Sequence, residues 1–165
     1  PLGIVTYAAA AAKEKGMLVV LNPAPAVPLG EDLLENVDII APNESETEIL
    51  TGVSLDSDVH IALAVKKLYQ LGVKRVIITM GSRGAIVTCG QTITPIPPRK
   101  VVAVDTTSAG DTFVGATVLR YLDGDTLEDA AKFASVASSI TITREGAAQS
   151  IPTLEEVKKV IESEK

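Results

Sequence analysis

The stretch Val104-Asp105-Thr106-Thr107-Ser108-Ala109-Gly110-Asp111-Thr112-Phe113-Val114-Gly115-Ala116 decides how the rest of the chain is read. On its upstream side Val101, Val102 and Val104 are β-branched and suit a strand; downstream, Phe113, Ala116, Val118, Leu119 and Leu122 recur at roughly helical spacing. The small, polar turn between them is therefore expected to open a helix. The first amide N–H groups of a helix lack intrahelical partners and the macrodipole is positive there, so Ala109 and Gly110 are placed to offer backbone donors to an anion such as a phosphate. Gly110 also removes a side chain from the approach. Asp111 has a plain structural explanation, since acidic residues favour helix N-termini, but its setting leaves a chemical role open.

Composition narrows the classes around this turn. The 165 residues are 46% apolar and only 3% aromatic, with Ala, Val, Ile and Leu dominant, which suits alternating helices and parallel strands better than an aromatic-rich sandwich. One domain-sized core is expected. A formal net charge of −6 and the lack of any Lys/Arg run argue against a nucleic-acid surface and for small-molecule chemistry. The single cysteine, Cys89, cannot form an internal disulfide and reads as a small core residue, which fits the reducing cytoplasm. No apolar run is long enough to cross a bilayer and Pro1-Leu2-Gly3 does not look like a signal peptide, so no membrane partner is expected.

Upstream of the central turn, Val5 to Lys15 is alanine-rich and reads as a helix ended by Gly16, with Met17 to Leu21 a buried strand after it. Helix then strand is the second half of a βαβ unit, so an earlier strand is expected before Pro1 and the sequence is expected to belong to a longer one. Asn22-Pro23-Ala24-Pro25-Ala26 is a stiff loop at the strand's C-terminal end, either a structural turn or part of a site lining. Asp32 to Glu35 suggests a short helix and Val37 to Ala41 a second strand. Asn43, with Glu46 three residues on, forms a capping-box pattern for a helix through Leu50. Asp58 to Leu71 is an amphipathic covering helix on Ile61, Val65, Leu68 and Leu71. His60 has no companions at metal-ligand spacing and is assigned no role.

Arg75 to Met80 is a third strand, turned by Gly81-Ser82-Arg83-Gly84 toward Ala85 to Cys89, and Gly90-Gln91 with Thr92 to Ile96 completes an antiparallel hairpin. Neither Gly-x₄-Gly-Lys-Ser/Thr nor Gly-x-Gly-x-x-Gly occurs, so P-loop kinases and dinucleotide enzymes lose support. After the central turn, Thr126 to Ile140 is an Ala/Ser-rich helix suited to close packing. The irregular loop Thr141 to Pro152 follows, and Thr153-Leu154-Glu155-Glu156 caps a last amphipathic helix to Glu164.

Asp105 to Asp111 resembles the second signature of the ribokinase-like (PfkB) carbohydrate kinases, Asp-Thr-x-Gly-Ala-Gly-Asp, departing from it only where Ser108 replaces the first glycine. The segments at Asn22 to Ala26, Asn43 to Glu46, Thr79 to Gly84 and Thr141 to Pro152 resemble further family segments in the family's order, and the first points to the ribokinase branch. The resemblance implies an α/β, ribokinase-like fold: a mostly parallel sheet flanked by helices on both faces, with an antiparallel hairpin. It also implies that residues 1–165 are the C-terminal nucleotide-binding and catalytic portion, without the sugar-binding N-terminal part and lid.

The implied activity is ATP-dependent phosphorylation of the 5-hydroxyl of D-ribose. Asp111 would be the catalytic base, with Ser108, Ala109 and Gly110 forming an anion hole. ATP would lie against Asn43, Thr79, Met80, Gly81, Ser82, Arg83, Gly84, Gly110, Asp111 and Ser135, although Ser135 reads equally well as a buried small residue. Glu46 would act on Mg²⁺ indirectly. Asp105, Thr107, Thr141, Arg144, Gly146 and Ser150 would hold K⁺, with Thr107, Thr141, Arg144 and Gly146 acting through their backbones. The complete enzyme is expected to be a cytoplasmic homodimer that binds no nucleic acid. The alternatives are another sugar or nucleoside kinase of the family, or a non-catalytic nucleotide-binding module.

Overall fold

The computed structural model describes residues 1–164. The chain divides into two compact units, one of Pro1–Met80 with Ile86–Ile93 and one of Gly81–Ala85 with the residues from Thr94 on.

In the first unit, helix α1 (Leu2–Glu14) ends as its sequence requires. Gly16 takes φ 71°, which an L side chain resists, and its N–H donates to the Lys13 carbonyl at 2.9 Å. Strand β1 is only Val20–Leu21, shorter than the expected Met17 to Leu21. The reason is Asp38. Its carboxylate accepts the Val19 N–H at 3.0 Å and both of its oxygens accept from Lys13 Nζ at 2.7 Å, so a side chain occupies the place of the first ladder rung. Helix α2 (Glu31–Leu34) and strand β2 (Ile39–Ile40) follow, and β2 runs parallel to β1 in the register Val20↔Ile39. Helix α3 (Glu44–Thr51) starts in a complete capping box of Asn43 and Glu46 and stops at Gly52, φ 67°. Helix α4 (Asp58–Gln70) buries Ile61, Val65 and Leu68 as their spacing predicts, whereas Leu71, expected on the same face, lies just past the last helical residue and is exposed; Ser57 accepts the His60 N–H at the helix start. Strand β3 (Arg75–Thr79) lies parallel to β2 in the register Ile39↔Arg75. Leu33, Leu34, Ile40, Leu68, Val76 and Ile78 form the centre of this unit's core, each stabilising it by roughly 1.5–3 kcal/mol relative to exposure.

Strands β4 (Ala85–Cys89) and β5 (Thr92–Ile96) complete the sheet order β1-β2-β3-β4-β5. The link between β4 and β5 is Gly90-Gln91, and that from β3 to β4 is equally too short for a parallel crossover, so both pairs are antiparallel and the sheet is mixed. Cys89 is exposed at the end of β4 and is not the core residue expected, because burial along β4 stops at Thr88.

The second unit is built on α5 (Ala109–Leu122), α6 (Leu127–Thr141) and α7 (Leu154–Glu162). On α6, Ala130, Ala131, Ala134 and Ala137 are buried, and small side chains of this kind let α5 lie close. The buried face of α5 is Thr112, Phe113 and Thr117, whereas Leu119 and Leu122 are 51% and 65% exposed, contrary to the face expected from their spacing. The two threonines can be buried because their hydroxyls are used. Thr117 Oγ1 donates to the Phe113 carbonyl at 2.8 Å, and Thr112 Oγ1 pairs with Thr141 Oγ1 at 3.2 Å. The expected strand at Val101 to Val104 does not form; Val102 and Val104 are 86% and 57% exposed. A strand needs a ladder, and here the Val104 N–H donates instead to the carbonyl of Ile142, in the turn after α6, at 2.7 Å. Val157 of α7 is buried with Val136 and Ala137 of α6. No helix among the described residues is long and apolar enough to cross a membrane.

Candidate active site

The central turn sits where α5 begins. Ser108, its N-cap, has φ 59° and ψ 11° and is the one described non-glycine residue with positive φ. A side chain in that left-handed conformation costs roughly 1–2 kcal/mol, so the sharp turn is held against a preference. Two consequences follow at the helix start. Ser108 makes no side-chain cap, and the Ala109 N–H turns back to the Thr106 carbonyl at 3.2 Å. Of the two amides expected to face an anion, that of Ala109 is therefore taken up by the tight turn. The amides of Gly110 and Asp111 have no partner among the described residues. A Cβ built on Gly110 would meet nothing within 4 Å, so the approach to these amides is open. The Asp111 side chain is exposed, with no hydrogen bond or ion pair among the described residues. A free carboxylate beside two unpaired amides can take a proton from a hydroxyl while the amides meet an anion.

Asp105 joins the turn to the loop after α6. One carboxylate oxygen accepts the Thr107 N–H at 2.9 Å and the other accepts the Gly146 N–H at 3.0 Å. The hydrogen bonds from Thr107, then that from Gly146, hold the Asp105 carboxyl below the usual aspartate range. Gly146 takes φ 96°, a conformation that side chains rarely adopt, so the loop favours glycine at this place. Thr141 and Ser150 are fully buried, and the Ser150 hydroxyl donates to the Ala147 carbonyl at 2.6 Å. Arg144 Nη2 reaches Glu156 Oε1 on α7 at 2.6 Å. That bond, followed by the one from the Thr153 N–H, lowers the Glu156 carboxyl to about 2.

The six residues expected to hold K⁺ thus belong to two segments that Asp105 ties together. Their donor set suits such an ion. The carbonyl oxygens of Thr107, Arg144 and Gly146 accept no hydrogen bond among the described residues, and the Asp105 carboxylate and Ser150 hydroxyl keep lone pairs to spare. The Thr141 carbonyl accepts the Arg144 N–H at 3.1 Å, and an oxygen-only, mostly carbonyl donor set is the chemistry that an alkali cation takes. No group of three or more His, Cys, Asp or Glu that could hold a metal occurs among the described residues.

The residues expected at ATP lie in both units. In the first, Asn43 and Thr79 meet in an isolated parallel bridge, and Thr79 N–H donates to the Pro42 carbonyl at 3.1 Å. Asn43 Oδ1 accepts the Glu46 N–H at 2.9 Å and Glu46 Oε2 accepts the Asn43 N–H at 2.8 Å, so the structural reading of this motif holds and Glu46 keeps one oxygen for other work. Met80 is buried. Asn22, in the proline loop, uses its amide to reach the Ala41 carbonyl at 2.7 Å and so stitches two strand ends together. In the second unit, Gly81–Arg83 form a single 3₁₀ turn and Gly84, φ 88°, seats that turn on the backbone of Ile96 to Pro98. Ser135 is half-buried and its hydroxyl lies 3.3 Å from the Pro97 carbonyl. His60 is exposed, with its Nδ1 against Asp56 Oδ1 at 2.5 Å.

The profile of the pfkB family carbohydrate kinases matches residues 2–154. The chain belongs to that family. Among curated relatives of this pfkB-family chain, the ribokinases of Haemophilus influenzae and Staphylococcus aureus are 41% and 42% identical over 98% and 97% of it. It spans about half of each, 53% in both cases. Among solved structures, that of Arabidopsis thaliana ribokinase complexed with ribose and ATP superposes with a TM-score of 0.93 at 34% identity, covering 98% of this chain and 53% of that one. The fold is therefore ribokinase-like. At the site of this pfkB-family chain, the left-handed Ser108 and the pairing of Glu156 with Arg144 are not expected from the sequence. The first had a signal in the glycine that Ser108 replaces. The second had none, because the partners are joined only by the fold.

Proposed function

We propose that this pfkB-family chain is the nucleotide-binding and catalytic part of a ribokinase, which transfers the γ-phosphoryl group of ATP to the 5-hydroxyl of D-ribose and yields D-ribose 5-phosphate and ADP. The observation that carries this reading is Asp111, free and exposed on the first turn of α5 next to the unpaired amides of Gly110 and Asp111. In the reaction, the proton on ribose O5 passes to the Asp111 carboxylate as the O5–P bond forms. The bond from Pγ to the bridging oxygen breaks, and its electron pair leaves with ADP. The Gly110 and Asp111 amides stabilise charge on the phosphoryl oxygens, and such a donor is worth about 3–4 kcal/mol of barrier. Asn43, Thr79 to Gly84 and Ser135 are assigned to ATP.

Mg²⁺, assigned to the free oxygen of Glu46 through water, neutralises triphosphate charge when bound. K⁺ is assigned to Asp105, Thr107, Thr141, Arg144, Gly146 and Ser150; this chain's own contribution there is to tie the turn before α5 to the loop after α6 through Asp105. A cytoplasmic setting and a homodimer belong to the same reading. The test is to measure ADP release by the full-length protein that carries this chain with ribose, fructose, adenosine and pseudouridine. Ribose as the preferred acceptor supports the reading, and ribose-independent or absent turnover contradicts it.

A further inference from the structure

We infer that Glu156 is a positioning residue for the cation loop, holding residues 141–150 through Arg144 in the shape that reaches Asp105. The inference rests on the cation assignment above and concerns a residue outside it. The loop between α6 and α7 has little regular structure of its own. Its one short 3₁₀ turn, Ala148–Ser150, leaves Thr143 to Ala147 without a ladder or helix to hold them. Within the loop, Arg144 N–H donates to the Thr141 carbonyl at 3.1 Å, a local turn that fixes nothing beyond itself. At the loop's start the Ile142 carbonyl accepts the Val104 and Asp105 N–H groups and Thr143 bonds back to the Ile140 carbonyl; from Arg144 on, the bonds that reach out of it are two, Gly146 N–H to Asp105 and the Arg144 guanidinium to Glu156 on α7. One clamps the loop to the central turn and the other clamps it to a helix anchored in the core by Val157, the residue after Glu156.

Glu156 is itself fixed before it meets Arg144. Its Oε2 accepts the Thr153 backbone N–H at 2.8 Å, and this bond, which the Thr153 side chain does not supply, sets its rotamer and presents Oε1 to the guanidinium. A charge-assisted bond of 2.6 Å from a pre-set acceptor restrains the arginine more than a flexible surface pair would. The carbonyls of Arg144 and Gly146 lie on the restrained segment and accept no hydrogen bond among the described residues. Groups that orient ligands typically change ion affinity by about 10- to 100-fold when removed.

The test uses this chain and reads its melting temperature as KCl replaces choline chloride at constant ionic strength. Glu156→Gln keeps one oxygen for Thr153 and turns an amide toward Arg144, so the cap survives and the clamp is lost. The potassium concentration giving half of the maximal stabilisation is expected to rise about tenfold in this variant, and equally in Arg144→Met, with no further rise in the double variant. Thr153→Ala removes the cap hydroxyl, and is expected to lower the melting temperature without moving the potassium midpoint. A parent that responds to potassium and a Glu156→Gln variant with the same midpoint overturn this inference alone. A midpoint that moves as much in Thr153→Ala also overturns it, as loss of general stability. A parent indifferent to potassium overturns the cation assignment and this inference with it.

Discussion

Replacing Gly84 with alanine should damage the second unit more than its single methyl suggests. At φ 88° the residue occupies a region that side chains resist, which costs roughly 1–2 kcal/mol. The new Cβ would also lie 2.2 Å from the Ile96 carbonyl oxygen and 2.8 Å from the Pro98 nitrogen. Both are backbone atoms and neither can rotate away. Relieving the contact means displacing the turn or the Ile96 to Pro98 segment, comparable to overpacking at about 1–3 kcal/mol. The sum, about 2–5 kcal/mol, is a large part of the stability of an ordinary domain. Urea unfolding followed by circular dichroism would read it as a lower midpoint, and tighter seating elsewhere cannot compensate because the obstacle is main chain. A loss below about 0.5 kcal/mol would refute the reasoning, since it would mean that the turn does not rest on that backbone.

The left-handed Ser108 predicts that Ser108→Gly is more stable than Ser108→Ala by about 1 kcal/mol; equal unfolding midpoints would contradict the turn geometry. Asp38 predicts a pH dependence. Burial pushes its carboxyl up, but the hydrogen bonds from Lys13 and Val19 N–H and the charges of Lys13 and Lys74 outweigh burial and hold it below the usual aspartate range. A depressed carboxylate stabilises the fold above its unfolded value and loses that contribution as pH falls through its folded one. Asp38→Asn should therefore cost about 2 kcal/mol at pH 7, with the gap to the parent narrowing below about pH 4. Denaturant titrations at pH 7 and pH 3 check both parts.

What the sequence made legible was what local spacing controls. Asn43 with Glu46 and Thr153 with Glu156 are three residues apart, so each capping box depends on nothing beyond one turn of chain. The face of α4 follows from the spacing of Ile61, Val65 and Leu68, and it stops short of Leu71, which lies past the helix end and is exposed. The strand expected at Val101 to Val104 failed for the opposite reason, since β propensity states a preference and only a neighbouring strand satisfies it. On α5 the helical period was right but the face was not. Thr112 and Thr117 can be buried once their hydroxyls find Thr141 and a backbone carbonyl, and that depends on where α6 lies. Asp38 with Lys13, and Arg144 with Glu156, are pairs that no spacing rule announces. At the site, the Asp105 to Asp111 run was recognisable from its residues, whereas the loss of the Ala109 amide to the Thr106 carbonyl depended on the hand of the turn at Ser108.

The central claim is that Asp111 is the base of a phosphoryl transfer, and it is tested most directly by Asp111→Asn in the full-length protein that carries this chain. The carboxamide keeps the shape and removes the proton acceptor. Ribose-dependent turnover is expected to fall by at least about a hundredfold, with the KM for ATP changed less than about twofold because Asp111 serves the acceptor hydroxyl. Turnover within a few-fold of the parent would contradict the claim.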